Sequence, residues 1–162
     1  MAVQVARIRR IDLLLAEYGE SHQNPTNKTI HWIAVPVIAW SVIALLWAVP
    51  TPALFRGAPY LNWATIVCAL AVVYYLTLSV PLAIGMAAFC ALAIAIIGLI
   101  ETNVTIKLEW IAGPLFAFAW VFQFAGHEVE GKKPSFLKDL QFLLIGPAWL
   151  MHFLYRRLGI PY

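Results

Sequence analysis

Imidazole is the side chain best suited to chemistry in this sequence, and it occurs four times: His22, His31, His127 and His152. It is the commonest protein ligand for zinc, copper and non-haem iron, and ionisable groups at membrane depth are costly enough to mark function. His31 opens one long apolar run and His127 follows another. An even number of membrane crossings between them brings both to one face. His22 lies in a stretch punctuated by Asn24, Pro25 and Asn27, which can fold back over the bundle, so three imidazoles can converge on one metal ion. Glu130 stands three residues after His127, on the same face if the helix continues, and is the candidate catalytic carboxylate, as a further ligand or as a group that orients one. Asn24 and Asn27 are placed to orient imidazoles, and Lys132 and Lys133 to attract a substrate carboxylate. Zinc, copper and iron all remain open on these residues alone.

The elements that must position these groups are transmembrane helices. Hydrophobic residues make up 62% of the sequence and charged residues 12%, and mean hydropathy is +0.80, a composition that a soluble surface does not carry. At roughly 20 residues per span the 162 residues allow about four or five crossings in one integral membrane domain, 1–162. Ile8, Ile11, Leu15 and Tyr18 repeat at helical spacing among charges, which predicts an N-terminal amphipathic helix over 5–18, lying on the membrane or capping the bundle. Apolar runs then predict spans at Thr29–Val49, Leu61–Leu78, Leu82–Ile100 and, shorter, Trp110–Ala125. Leu140–Tyr155, broken by Gly146 and Pro147, crosses or re-enters. The expected fold is an all-α polytopic bundle of four to five spans.

With four crossings and a cytoplasmic N-terminus, most Lys and Arg face the cytoplasm, and the histidine site falls on that face. The N-terminal stretch has neither the apolar core nor the small-residue cleavage site of a signal peptide. Cys68 and Cys90 sit inside apolar runs as small hydrophobes. The basic balance fits anionic headgroups, with no nucleic acid as partner. No Gly-rich phosphate loop and no GxSxG occurs, and the span interiors lack Asp, Glu, Lys and Arg, which argues against phosphoryl transfer, serine hydrolysis and transport.

The string from Tyr18 through His22, Asn24, Asn27 and His31 to Val35-Pro36 resembles the N-terminal motif of a family of small membrane 2-hydroxy fatty acid dioxygenases. That family is typified by a fungal endoplasmic-reticulum enzyme that degrades phytosphingosine to odd-chain fatty acids. Trp120-Val-Phe-Gln123-Phe-Ala-Gly126-His127, followed by Glu130, Lys132, Lys133 and Pro134, is similar to its other signature, with a single histidine where the fungal motif has a pair. The resemblance implies an Fe(2+)-dependent enzyme that uses dioxygen to shorten a 2-hydroxy fatty acid by one carbon, with His22, His31 and His127 as iron ligands. It also implies membrane lipid as the setting: the inner membrane in a bacterium, the endoplasmic reticulum in a eukaryote. A 2-hydroxy acid can chelate iron through its hydroxyl and carboxylate. A non-catalytic membrane scaffold and a zinc-dependent membrane hydrolase are the alternatives, since three histidines with an open position also suit zinc.

Overall fold

Residues 9–55, 57–58, 60–135 and 140–162 are described by a computed structural model, and the regular elements among them are helical. They are α1 (Arg10–Glu20), α2 (Pro25–Ala48), α3 (Trp63–Leu76), α4 (Val80–Asn103), α5 (Leu108–Glu130) and α6 (Phe142–Leu158), with one short 3-10 turn at Ala53–Phe55. The start of the amphipathic helix expected over 5–18, including Ile8, lies outside the described residues.

Local chemistry sets the helix starts. Asn24 caps α2 by accepting from the Thr26 backbone N–H at 2.8 Å, and Pro25 fills the first helical position, where no donor is needed. Asn62 and Thr65 form a reciprocal capping box on α3. Ser79 caps α4 after a tight turn, so the break between α3 and α4 covers residues 77–79, overlapping the expected Ser79–Pro81 only at Ser79, and Pro81 lies inside the first turn of α4.

Among the described residues three helices, α2, α4 and α5, are long and apolar enough to cross a bilayer, and α3 is a shorter apolar helix of 14 residues. With α6 these are the five apolar segments expected from the sequence. The fourth span is longer than expected: α5 continues past Ala125 to Glu130, 23 residues in all, and Gly131 ends it in the left-handed region at φ 70°. Polar composition after Ala125 is compatible with helix, and nothing there breaks it until that glycine. α6 has 17 residues, about 26 Å at 1.5 Å per residue, short of a hydrocarbon core of about 30 Å.

Antiparallel α2 and α5 form the axis of the bundle and pack more extensively than any other pair. At one end, Ile43 and Ala44 of α2 join Leu108 and Ala112 of α5 in an apolar cluster with Cys68, Ala93 and Ile97. At the other end α1 folds back as a cap, burying Ile11, Leu14, Leu15 and Tyr18 against Phe142, Ile145 and Trp149 of α6. Large apolar side chains such as Ile33, Leu70, Ile84, Leu99, Phe118 and Val121 face outward. This apolar exterior is suited to lipid and unsuited to water, and the chain is a membrane protein.

Close approach of α2 and α5 requires Gly126. A Cβ added there would lie 2.4 Å from Asn27 Oδ1 and 3.4 Å from Ile30 Cγ2. Gly126→Ala is therefore expected to push Asn27 away and to lower stability by about 1–3 kcal/mol, measured as thermal unfolding in detergent. An unchanged transition would show that the helices separate freely at this level.

Candidate metal centre

His22 follows α1, His31 lies two turns into α2, and His127 occupies the last turn of α5. The antiparallel arrangement of α2 and α5 brings the latter two to one end of the bundle, and the return of the chain after α1 sets His22 over them. Ring centroids are 4.3 Å apart for His22–His31, 5.0 Å for His22–His127 and 4.9 Å for His31–His127. All three residues are buried, and one ring nitrogen from each falls within 4.8 Å of the others.

Backbone carbonyls orient two of the rings. His22 Nδ1 donates to Tyr18 O at 2.6 Å and His31 Nδ1 donates to Asn27 O at 2.9 Å. Each carbonyl belongs to the residue four positions earlier. The proton on Nδ1 leaves the lone pair on Nε2, and both Nε2 atoms are buried without a hydrogen-bond partner, as is His127 Nδ1. Buried polar atoms are almost always satisfied. Three unsatisfied imidazole nitrogens facing one another are the donor set of a first-row metal ion. Three nitrogens each about 2.1 Å from one tetrahedral ion lie about 3.4 Å apart, so shifts of about an ångström close the trio on an ion. The residues fit a metal.

Burial holds His22 neutral. Desolvation, reinforced by the neighbouring His31, pushes its pKa down to about 3 against hydrogen bonding to Tyr18, so at neutral pH the imidazole is in its ligating form. Tyr18 stacks flat on His22, with centroids 4.1 Å apart and planes 12° from parallel. Trp149 closes another side, 5.3 Å from the His22 ring. Burial also raises the Tyr18 hydroxyl pKa, which keeps it protonated.

Glu130 holds this site together from outside the trio. One carboxylate oxygen accepts from Gln23 N at 2.8 Å; the other accepts from Asn24 N at 2.8 Å and from Asn27 Nδ2 at 3.0 Å. The end of α5 is thus tied to the segment that carries His22 and to the start of α2. Asn27 is fully buried; its Nδ2 also donates to Ser21 O at 3.1 Å, and its carbonyl orients His31. Asn24 serves as the α2 cap. Lys132 Nζ donates to Glu20 O at 2.7 Å, at the C-terminus of α1, where a cation is favourable. Lys133 is exposed at the same end. His152 stays apart from the trio, on α6, with its Nδ1 hydrogen-bonded to the Tyr162 hydroxyl.

A family model described as 2-hydroxy-palmitic acid dioxygenase Mpo1-like matches residues 8–158. The chain belongs to that family. Among its relatives, the 2-hydroxy-palmitic acid dioxygenase MPO1 of Saccharomyces cerevisiae is 30% identical over 147 residues, covering 90% of this chain and 79% of the yeast protein. No solved structure matches the chain.

Tyr18, Gln123 and Trp149 also surround the histidines, beyond the site residues that the sequence nominates. Tyr18 and Gln123 each precede a site histidine by one helical turn, the spacing that puts two side chains on one face. Gln123 is also a rare polar group inside an apolar span. Two of the three thus carry a local signal in the sequence; Trp149 comes from α6 and has none.

Proposed function

We propose that the chain is a metal-dependent dioxygenase that acts on 2-hydroxy fatty acids at the membrane and shortens them by one carbon, with His22, His31 and His127 as the ligands of Fe(2+). The observation that carries this reading is the convergence of three buried, unpartnered imidazole nitrogens in a chain whose yeast relative bears the name 2-hydroxy-palmitic acid dioxygenase. Iron bound there would supply the activation of dioxygen. The residues of the chain do the rest. Tyr18 and Asn27 fix the imidazole tautomers through their backbone carbonyls, and the aromatic wall of Tyr18 and Trp149 keeps water from the trio. Glu130 acts through the loop it clamps, as a positioning residue.

The stoichiometry closes without a second reductant: R–CH(OH)–COOH and dioxygen balance against R–COOH, carbon dioxide and water. Arg9, Arg10, Lys28, Lys132 and Lys133 border α1, the start of α2 and the end of α5, while Lys107 lies at the other end of α5, which supports a cytoplasmic position for the site.

Ferrous protein in detergent or nanodiscs, given 2-hydroxyhexadecanoic acid under air, is expected to release pentadecanoic acid, identified by mass spectrometry. Anaerobic or zinc-loaded protein is expected to leave the acid unchanged. An unchanged 2-hydroxy acid with folded, iron-replete protein would overturn the dioxygenase reading. Stoichiometric zinc in protein purified without chelator would then favour a membrane hydrolase, and absence of any metal a scaffold.

A further inference from the structure

The cavity beside the trio is built asymmetrically. It is bounded by His22 and His127 at one end, and by Val35, Ile38 and Ala39 of α2 and Trp120 of α5 farther in, with Phe142 and Gly146 of α6 forming a further wall. On α2 the lining follows His31 at steps of four, seven and eight residues; on α5 it precedes His127 at steps of four and seven. Both are single helical faces, so the cavity descends from the histidines along the two central helices into the apolar part of the bundle. The eight residues from His31 to Ala39 correspond to about 12 Å of helix.

Gln123 stands at the junction of the two ends. It is 6% exposed, it lines the cavity, and its Oε1 is buried with no hydrogen-bond partner. An amide acceptor left unsatisfied destabilises a fold unless a ligand or water completes it. Ligand sites combine largely apolar walls with a few placed polar atoms, and here one acceptor sits one turn from a site histidine, above an apolar slot.

We propose that Gln123 accepts a hydrogen bond from the 2-hydroxyl group of the fatty acid and that the slot between α2, α5 and α6 receives the first part of its acyl chain. This rests on the dioxygenase reading. It accounts for selectivity that an apolar slot alone does not give, because a hydroxyl filling a buried acceptor is favoured over a hydrogen that leaves it empty. The hydroxyl oxygen retains its own lone pairs, so accepting its proton at Gln123 leaves them free. Membrane depth and chemistry then agree, with the carboxylate near the water-facing histidine end and the alkyl tail running inward.

Binding tests this independently of turnover. Full-length zinc-loaded protein in nanodiscs, which holds the site without consuming substrate, is titrated with 2-hydroxyhexadecanoic and hexadecanoic acids by tryptophan quenching and calorimetry. Wild type is expected to prefer the hydroxy acid, and Gln123→Leu and the volume-conserving Gln123→Met to reduce that preference by about 3- to 10-fold, with zinc stoichiometry and affinity for hexadecanoic acid unchanged. Ala39→Trp, which narrows the slot, is expected to weaken both acids and leave the preference intact. A folded Gln123 variant that keeps the wild-type preference overturns the role of Gln123 while the dioxygenase reading stands. Unweakened binding to Ala39→Trp overturns the acyl placement, and a wild type with no preference between the acids overturns the hydrogen bond to the 2-hydroxyl, while turnover of the hydroxy acid by ferrous protein decides the dioxygenase reading separately.

Discussion

His31→Ala is expected to empty the metal site and abolish turnover while the bundle stays folded. His31 has no exposed surface, its Nδ1 is held by Asn27 O, and its Nε2 is one of the three unpartnered nitrogens. Removing it leaves two imidazoles, one of them on the chain segment between α1 and α2. Loss of a group that merely orients a ligand costs about 10- to 100-fold in metal affinity, and loss of a ligand itself is expected to exceed about 100-fold. The fold should survive, because α2 is held along α5 by contacts far from this end, including Ile43 and Ala44 against Leu108 and Ala112. Elemental analysis after gel filtration, with circular dichroism as the folding control, gives the result. Metal content equal to wild type would reduce His31 to a buried packing residue.

What the sequence made legible follows from periodicity and cost. The apolar runs located the helices because a bilayer demands about 20 residues per span, and even parity between His31 and His127 was enough to bring their rings to one end without knowledge of tilt or packing. The boundaries were less legible where polar residues continue a helix. Ala125 to Glu130 carries the same hydrogen-bonding ladder as the apolar part of α5, and only Gly131 marks the stop. The partners of Glu130 were illegible for a different reason. Spacing puts Glu130 on the His127 face, yet its carboxylate is consumed by backbone donors of Gln23 and Asn24, more than a hundred residues away. Local spacing does not encode such long-range closure. Trp149 is hidden in the same way, since its position over His22 depends on how α6 docks against α1.

Glu130→Gln isolates what that closure contributes. The native carboxylate offers only acceptors, and it faces three donors: the Gln23 and Asn24 backbone N–H groups and Asn27 Nδ2. A glutamine has the same size but one acceptor oxygen, and its amide N–H₂ would meet at least one of those donors head-on. The expected result is one or two hydrogen bonds lost and a buried or half-buried donor left unsatisfied, worth about 1–3 kcal/mol of stability. The segment carrying His22 would loosen, and with it one ligand of the trio. Metal affinity should fall by about 10- to 100-fold, the range for groups that orient ligands without touching the ion. Saturating iron should restore much of the turnover, whereas His31→Ala should stay inactive at any iron concentration. Chelator competition across an iron titration separates the two behaviours. If saturating iron fails to rescue Glu130→Gln, then Glu130 contributes to the chemistry itself and not through the clamp on residues 23–27.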